Sequence, residues 1–351
     1  MSNSVSYRHD LGNGLFLDAF SVDPKITPEG LREMVASKDG KPEPDLEKLV
    51  SNTIFIERVN SVDDIKIEIA DKNYEVPKQL KEYREAIEFQ SDTAGRHNGP
   101  ILIVDERVQV PLRSFKGGFY DFISTKLDTV PSALEHEFEI LNMLPEGSLF
   151  WRAFSKAGGE KKARENYSKL KGKYEESKTI GELFDKWGIS HDKRARYLGF
   201  AYIALTDNGR ELSFVQRAKG MAIAADCISS PGSTPNPPFD DESFNINKYL
   251  RNHMIEEMSE EYNLSPGEFN MNHIYLFDDK KQVPFCAVEM VTPLKTRELA
   301  ERIYGKEGAI KEHPVLYSMK PAAIQPLIER FPIFPPFAQV MRVFDRYRKN
   351  N

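Results

Sequence analysis

Apolar residues in the second half of the chain fall into short runs separated by polar turns. Leu198 to Thr206 is almost continuously apolar, which predicts a buried strand. Asp207-Asn208-Gly209-Arg210 follows, and this order predicts a tight hairpin because asparagine and glycine accept positive φ. Glu211 to Arg217 is then the returning strand, and Met221 to Ser229 predicts a third. Thr234-Pro235-Asn236-Pro237-Pro238 predicts a loop, since proline lacks the donor that regular structure needs. Met271 to Phe277 and Pro284 to Val291 predict two more strands. Residues 295–351 predict helices, broken at Pro332, Pro335 and Pro336.

The first 155 residues mix both periods. Asn52 to Ile56 and Ile65 to Ile69 cluster β-branched residues and predict strands; Tyr74 to Phe89, rich in Lys and Glu, predicts a helix. Gly99 to Asp105 and Val108 to Leu112 predict a hairpin turning at Asp105-Glu106-Arg107. Residues 156–196 are the most charged stretch and predict a helical connector. The expected organisation is therefore an N-terminal mixed α/β domain over 1–155, the connector, and a C-terminal domain over 197–351. A fragment beginning near Arg194 is expected to fold by itself.

Between the third and fourth C-terminal strands lies Ile255-Glu256-Glu257-Met258-Ser259-Glu260-Glu261-Tyr262-Asn263-Leu264. Glu256 and Glu260 are four apart, as are Glu257 and Glu261, so on a helix each pair repels by roughly 0.2–0.5 kcal/mol. Both pairs precede a C-cap at Asn263, where the helix dipole also disfavours negative charge. A divalent cation turns both penalties into attraction, and hard cations take oxygen ligands. A solvated acidic face is the plain alternative.

From Glu256 to Leu264 this order resembles the second half of the Nudix box, the signature helix of the Nudix hydrolases, which reads Arg-Glu-apolar-x-Glu-Glu-x-Gly-apolar. Five of the seven fixed positions match outright. Asn263 stands for the glycine and shares its tolerance of positive φ. Glu256 stands for the arginine, which in the family helps to hold the glutamates. The nearest counterparts of the upstream half are Gly232 and Glu242, and Gly232 lies ten residues further from Glu257 than the family pattern would place it. The Pro-rich loop is the natural place for those extra residues. The strand, tight turn and strand over 198–217 also resemble the entry to a Nudix fold.

The resemblance implies an α/β fold: a Nudix-like α/β/α sandwich with a mixed sheet in the C-terminal half, preceded by the mixed α/β N-terminal region. It further implies Mg²⁺, or Mn²⁺, held by Glu257, Glu260 and Glu261, and hydrolysis of a phosphoanhydride bond in a nucleoside diphosphate linked to another group. The cation would clamp phosphate oxygens and acidify a water. One glutamate would accept the proton, or a carboxylate from another strand, with Glu289 the candidate. Glu289 sits alone inside the apolar run Cys286 to Met290, where it needs a partner or faces outward. Arg217 and Lys219 are candidate phosphate contacts, set against ordinary surface roles. His253, on the same helix, is an auxiliary ligand or, more simply, a satisfied histidine. Two other readings stand beside the hydrolase: a Nudix-like nucleotide-binding or sensing protein without catalysis, and an interaction protein whose acidic helix binds a basic partner.

Composition narrows the partners. The 351-residue chain carries a net charge of −6, which offers no basic footprint for nucleic acid or an anionic membrane. Its two cysteines, Cys227 and Cys286, fall in apolar runs and fit free core thiols in a reducing compartment. No apolar run reaches membrane-spanning length and the N-terminus has no signal-peptide core, so a cytoplasmic protein is expected, while the resemblance implies a nucleotide-derived small-molecule substrate. No nucleophilic Gly-x-Ser-x-Gly order and no His-x3-His pair occurs. The sequence does not disclose an oligomeric state.

Overall fold

The computed structural model describes residues 5–21, 23, 25–40, 53–81, 84, 99–105, 108–125, 180–216, 227–239, 244–279, 283–304 and 313–349. Thirteen strands lie in these residues: β1 (Val5–Gly12), β2 (Leu15–Ser21), β3 (Thr53–Val59), β4 (Ile67–Asn73), β5 (Pro100–Val104), β6 (Leu112–Gly118), β7 (Gly199–Thr206), β8 (Glu211–Gln216), β9 (Ile228–Ser229), β10 (Gly232–Ser233), β11 (Asn270–Asp279), β12 (Pro284–Val291) and β13 (Val315–Met319). The helices are α1 (Pro28–Ala36), α2 (Phe119–Ile123), α3 (Ile180–Lys186), α4 (Ile246–Tyr262), α5 (Thr296–Tyr304), α6 (Ile324–Arg330) and α7 (Pro335–Lys349).

A ten-stranded sheet runs in the order β1-β2-β13-β8-β7-β12-β11-β3, with β9 pairing β8 and β10 pairing β7. It is mixed, because β12 runs parallel to β7 while its other pairings are antiparallel. The β7–β8 hairpin closes as its turn chemistry requires: Asp207, Asn208 and Gly209 all take positive φ. Alternation along the strands then separates two cores. Ile203, Leu205, Phe285 and Ala287 pack under α1, α6 and α7. Phe200, Tyr202, Ala204, Cys286, Val288 and Met290 pack under α4 and α5. The result is an α/β/α sandwich. A second sheet, β4-β6-β5, lies against the α4 side, where Leu102, Val104 and Leu112 join the same core.

Three regions differ from the expectation. The segment 295–351 is not wholly helical, because Val315–Met319 is a strand in the interior of the large sheet, with all five residues buried. A run covered on both faces has no period by which sequence can tell strand from helix. The expected boundary between 1–155 and 197–351 is crossed by that sheet: β2, with β1 on its outer side, pairs with β13, and β3 pairs with β11. The predicted hairpin over 99–112 forms, but its second strand begins at Leu112 and runs to Gly118. Of the predicted third C-terminal strand, Ile228 and Ser229 are strand, and 217–226 lie outside the described residues, as does most of the 156–196 connector. Within the predicted helix from Tyr74, Lys78–Leu80 is a short 3₁₀ turn, and 85–89 lie outside the described residues. Cys227 and Cys286 are both buried, as expected.

Candidate functional site

Helix α4 starts at Asn245, whose side chain accepts from the Lys248 amide at 2.9 Å. Leu250, Met254 and Met258 recur every fourth residue, are fully buried, and hold the helix to the sheet. It stops at Asn263, which adopts the left-handed conformation at φ 50°, ψ 49°. The Asn263 amide side chain donates to the Arg302 carbonyl at 2.8 Å and so ties the helix end to α5. The position where the family pattern has glycine is therefore one that requires positive φ, and asparagine meets the requirement.

Four-residue spacing puts His253, Glu257 and Glu261 on one stripe beside the buried seam. Glu257 and Glu261 are partly buried, with side chains 28% and 20% exposed, whereas Glu256 and Glu260 are exposed. Burial, followed by the charges of Glu261, Glu260 and Glu256, pushes the Glu257 carboxyl up to about 7. The Tyr202 phenol on β7 is raised mainly by burial, with Glu257 and Glu261 adding to it, which places its hydroxyl within reach of their charge.

Each of the two half-buried glutamates has a histidine beside it. His313, nearly fully buried, meets Glu261 Oε2 through Nε2 at 3.1 Å. His253 Nδ1 lies 3.8 Å from Glu257 Oε1. Burial drives His253 down to about 4, so this contact is between a neutral imidazole and a carboxyl and is not an ion pair. The other ring nitrogen, Nε2, is 3.0 Å from Ser233 Oγ on β10, and Ser233 Oγ is 2.7 Å from the Tyr202 hydroxyl. Tyr249 stacks on the ring and Phe200 packs edge-on to it.

Gly232 puts Ser233 in this position. Strand β10 wedges against β7, and a Cβ on Gly232 would meet the Phe200 carbonyl oxygen at 2.6 Å. This glycine serves a close backbone approach and is not simply a turn residue. Gly232 and Ser233 also line a cavity of about 290 Å³, together with Tyr197, Phe200, Phe285 and Phe337. None of the helix glutamates is among its lining residues.

Glu289 does not join the helix glutamates. It alternates with Val288 and Met290, which face α4, and shares the other face of β12 with Phe285 and Ala287. There the Tyr275 hydroxyl donates to it; burial raises its carboxyl, while Tyr275, Arg58 and Arg348 oppose the rise. The expectation of Glu289 as a base beside Glu257 is corrected by this parity: one position along a strand reverses the face. Arg217, Lys219 and Glu242 lie outside the described residues. Among the described residues no three His, Cys, Asp or Glu side chains are gathered so as to hold a metal ion by themselves. Nor is any described helix long and apolar enough to cross a membrane. The His253–Glu257 pair was legible as a four-residue spacing. Tyr202, Ser233 and His313 carried no local signal, since only folding brings them to α4.

No family model matches the chain. No curated protein matches it either. Among solved structures, DR0079 from Deinococcus radiodurans overlays 42% of this chain and 81% of its own at 9% identity and a TM-score of 0.31. The MutT protein from Methanosarcina mazei Go1 overlays 43% and 94% at 17% identity and a TM-score of 0.28. The NUDIX domain of Shewanella oneidensis NrtR, in complex with ADP ribose, overlays 45% and 90% at 13% identity and a TM-score of 0.28.

Proposed function

We propose that this chain is a Mg²⁺- or Mn²⁺-dependent hydrolase of a phosphoanhydride bond in a nucleoside diphosphate linked to another group. The observation that carries the reading is the Glu257–Glu261 stripe: two carboxylates half-buried on one helix face, with Glu257 lifted to about 7 first by burial and then by the neighbouring glutamates. Such crowding costs stability and gains meaning where a cation neutralises it. The donor set fits a hard cation. Magnesium commonly uses one or two carboxylates and completes its shell with water and substrate phosphates, so a preassembled protein cage is not required. Glu257 and Glu261 would hold it, joined by Glu260 once the cation draws that exposed side chain in, and when bound it supplies charge neutralisation at the phosphates and a more acidic water.

The chain's own residues do the remainder. A glutamate of the stripe that is not engaged as a ligand would take the proton of the attacking water. The neutral His253 flanks the stripe without adding positive charge that would compete with the cation, and His313 meets Glu261 at 3.1 Å. Arg217 and Lys219 are proposed to contact phosphate oxygens. The ligand-sensing alternative is favoured by one observation: Glu289 faces the opposite core, which removes the second-strand base.

The test is turnover of a panel of dinucleotides, nucleotide sugars and nucleoside triphosphates with Mg²⁺ or Mn²⁺. Glu257→Gln should lower turnover by about a hundredfold or more, the range seen when a key electrostatic group is lost. Glu289→Gln should leave it within about threefold, since burial on the other face separates it from the reaction. Tight binding of one panel member without cleavage would replace the hydrolase by the sensor.

A further inference from the structure

Tyr202, Ser233, His253 and Glu257 form one line of polar atoms from the middle of the sheet to the outer helix. The spacings are 2.7 Å from the Tyr202 hydroxyl to Ser233 Oγ, 3.0 Å from Ser233 Oγ to His253 Nε2, and 3.8 Å from His253 Nδ1 to Glu257 Oε1. Its polarity follows from what each group can do. A buried phenol with a raised pKa stays protonated and donates, so Tyr202 gives its proton to Ser233 Oγ. Ser233 then donates to His253 Nε2, which leaves the single imidazole proton on Nδ1, facing the Glu257 carboxylate. Where Glu257 is ionised, the reverse polarity would set a bare Nδ1 lone pair against its carboxylate. Tyr249 stacks against the His253 ring with centroids 5.9 Å apart and Phe200 packs on its edge at 6.0 Å, which favours this ring plane.

We propose that His253 is a positioning residue for Glu257: Ser233 and Tyr202 fix its tautomer, and its Nδ1–H orients the carboxylate. This rests on the reading of Glu257 as a functional ligand. The last link, at 3.8 Å, is just beyond a direct hydrogen bond. Such links are often long in the free protein and tighten when the site is filled. His313 performs the parallel task for Glu261 at 3.1 Å, so each half-buried carboxylate has its own imidazole. Glu256, at the position of the family pattern's arginine, is exposed and brings a further carboxyl in place of a guanidinium, so it cannot take over the holding of either glutamate.

Two measurements test this. Long-range ¹H–¹⁵N spectra of the metal-free full-length protein read the tautomer of His253 directly. The expected result is a protonated Nδ1 and a bare Nε2, lost in Ser233→Ala; a protonated Nε2 in the parent protein overturns the proposal. Calorimetric Mn²⁺ titration then compares H253N with H253Q. Asparagine keeps an N–H near the place of Nδ1, whereas glutamine keeps its polar group near Nε2. H253Q should weaken Mn²⁺ binding by about 10–100-fold, the cost of losing a supporting partner of a metal ligand, with H253N restoring most of it. Equal affinities in the two variants overturn the positioning role. A parent protein with no Mn²⁺ affinity would refute the metal reading separately, and the tautomer would still decide the relay.

Discussion

Replacing Glu257 by glutamine should stabilise the metal-free protein while disabling it. Glu257 titrates at about 7 in the fold against 4.5 in an unstructured chain, so the folded state binds its proton more tightly than the unfolded state. Stability from this group is therefore fully present below 4.5 and is lost as pH rises through about 7. That difference corresponds to at most about 3.4 kcal/mol. The side chain is 28% exposed and its shift is shared with Glu261, Glu260 and Glu256, so solvent screening brings the expected gain nearer 1–2 kcal/mol, an order-of-magnitude figure. Glutamine keeps the shape and removes the charge. Urea unfolding in EDTA should show Glu257→Gln more stable than the parent at about pH 8.5 and equal to it near about pH 4, where the parent carboxyl is already neutral. Adding Mg²⁺ should stabilise the parent and not the variant, because a ligand that binds only the folded state adds RT ln(1 + [L]/Kd). A variant that is less stable at high pH, or whose advantage is the same at both pH values, would refute the account of crowded carboxylates.

Gly232→Ala should destabilise the protein by about 1–3 kcal/mol, the usual cost of forcing atoms into a filled space, because its Cβ would sit 2.6 Å from the Phe200 carbonyl oxygen. Thermal unfolding reads the loss, and an unchanged midpoint would show that β10 is free to shift. A fragment beginning at Arg194 should fail to unfold cooperatively. It lacks β1, β2 and β3, which leaves the edges of β13 and β11 bare and strips Leu17 and Ala19 from the core. A sharp, reversible transition of that fragment would restore the expected two-domain division.

What sequence alone determined is local. The Asp207-Asn208-Gly209 turn, the strand over Pro284–Val291, the buried cysteines and the left-handed cap at Asn263 each follow from a few neighbouring residues, because backbone conformation and side-chain alternation are short-range properties. The glutamate stripe and the His253–Glu257 spacing were legible for the same reason: a helix repeats its faces every three to four residues. Tertiary structure decided the rest. Val315–Met319 is apolar at nearly every position and reads as strand only because β2 and β8 supply its hydrogen-bonding edges. The first strands join a sheet whose other members lie almost two hundred residues on, a pairing that no local pattern encodes. Glu289 could be placed inside an apolar strand but not on a face, since its side depends on which core each parity of β12 meets. The same long-range packing brings Ser233, Tyr202 and His313 to α4, and with them the groups that surround the two half-buried carboxylates.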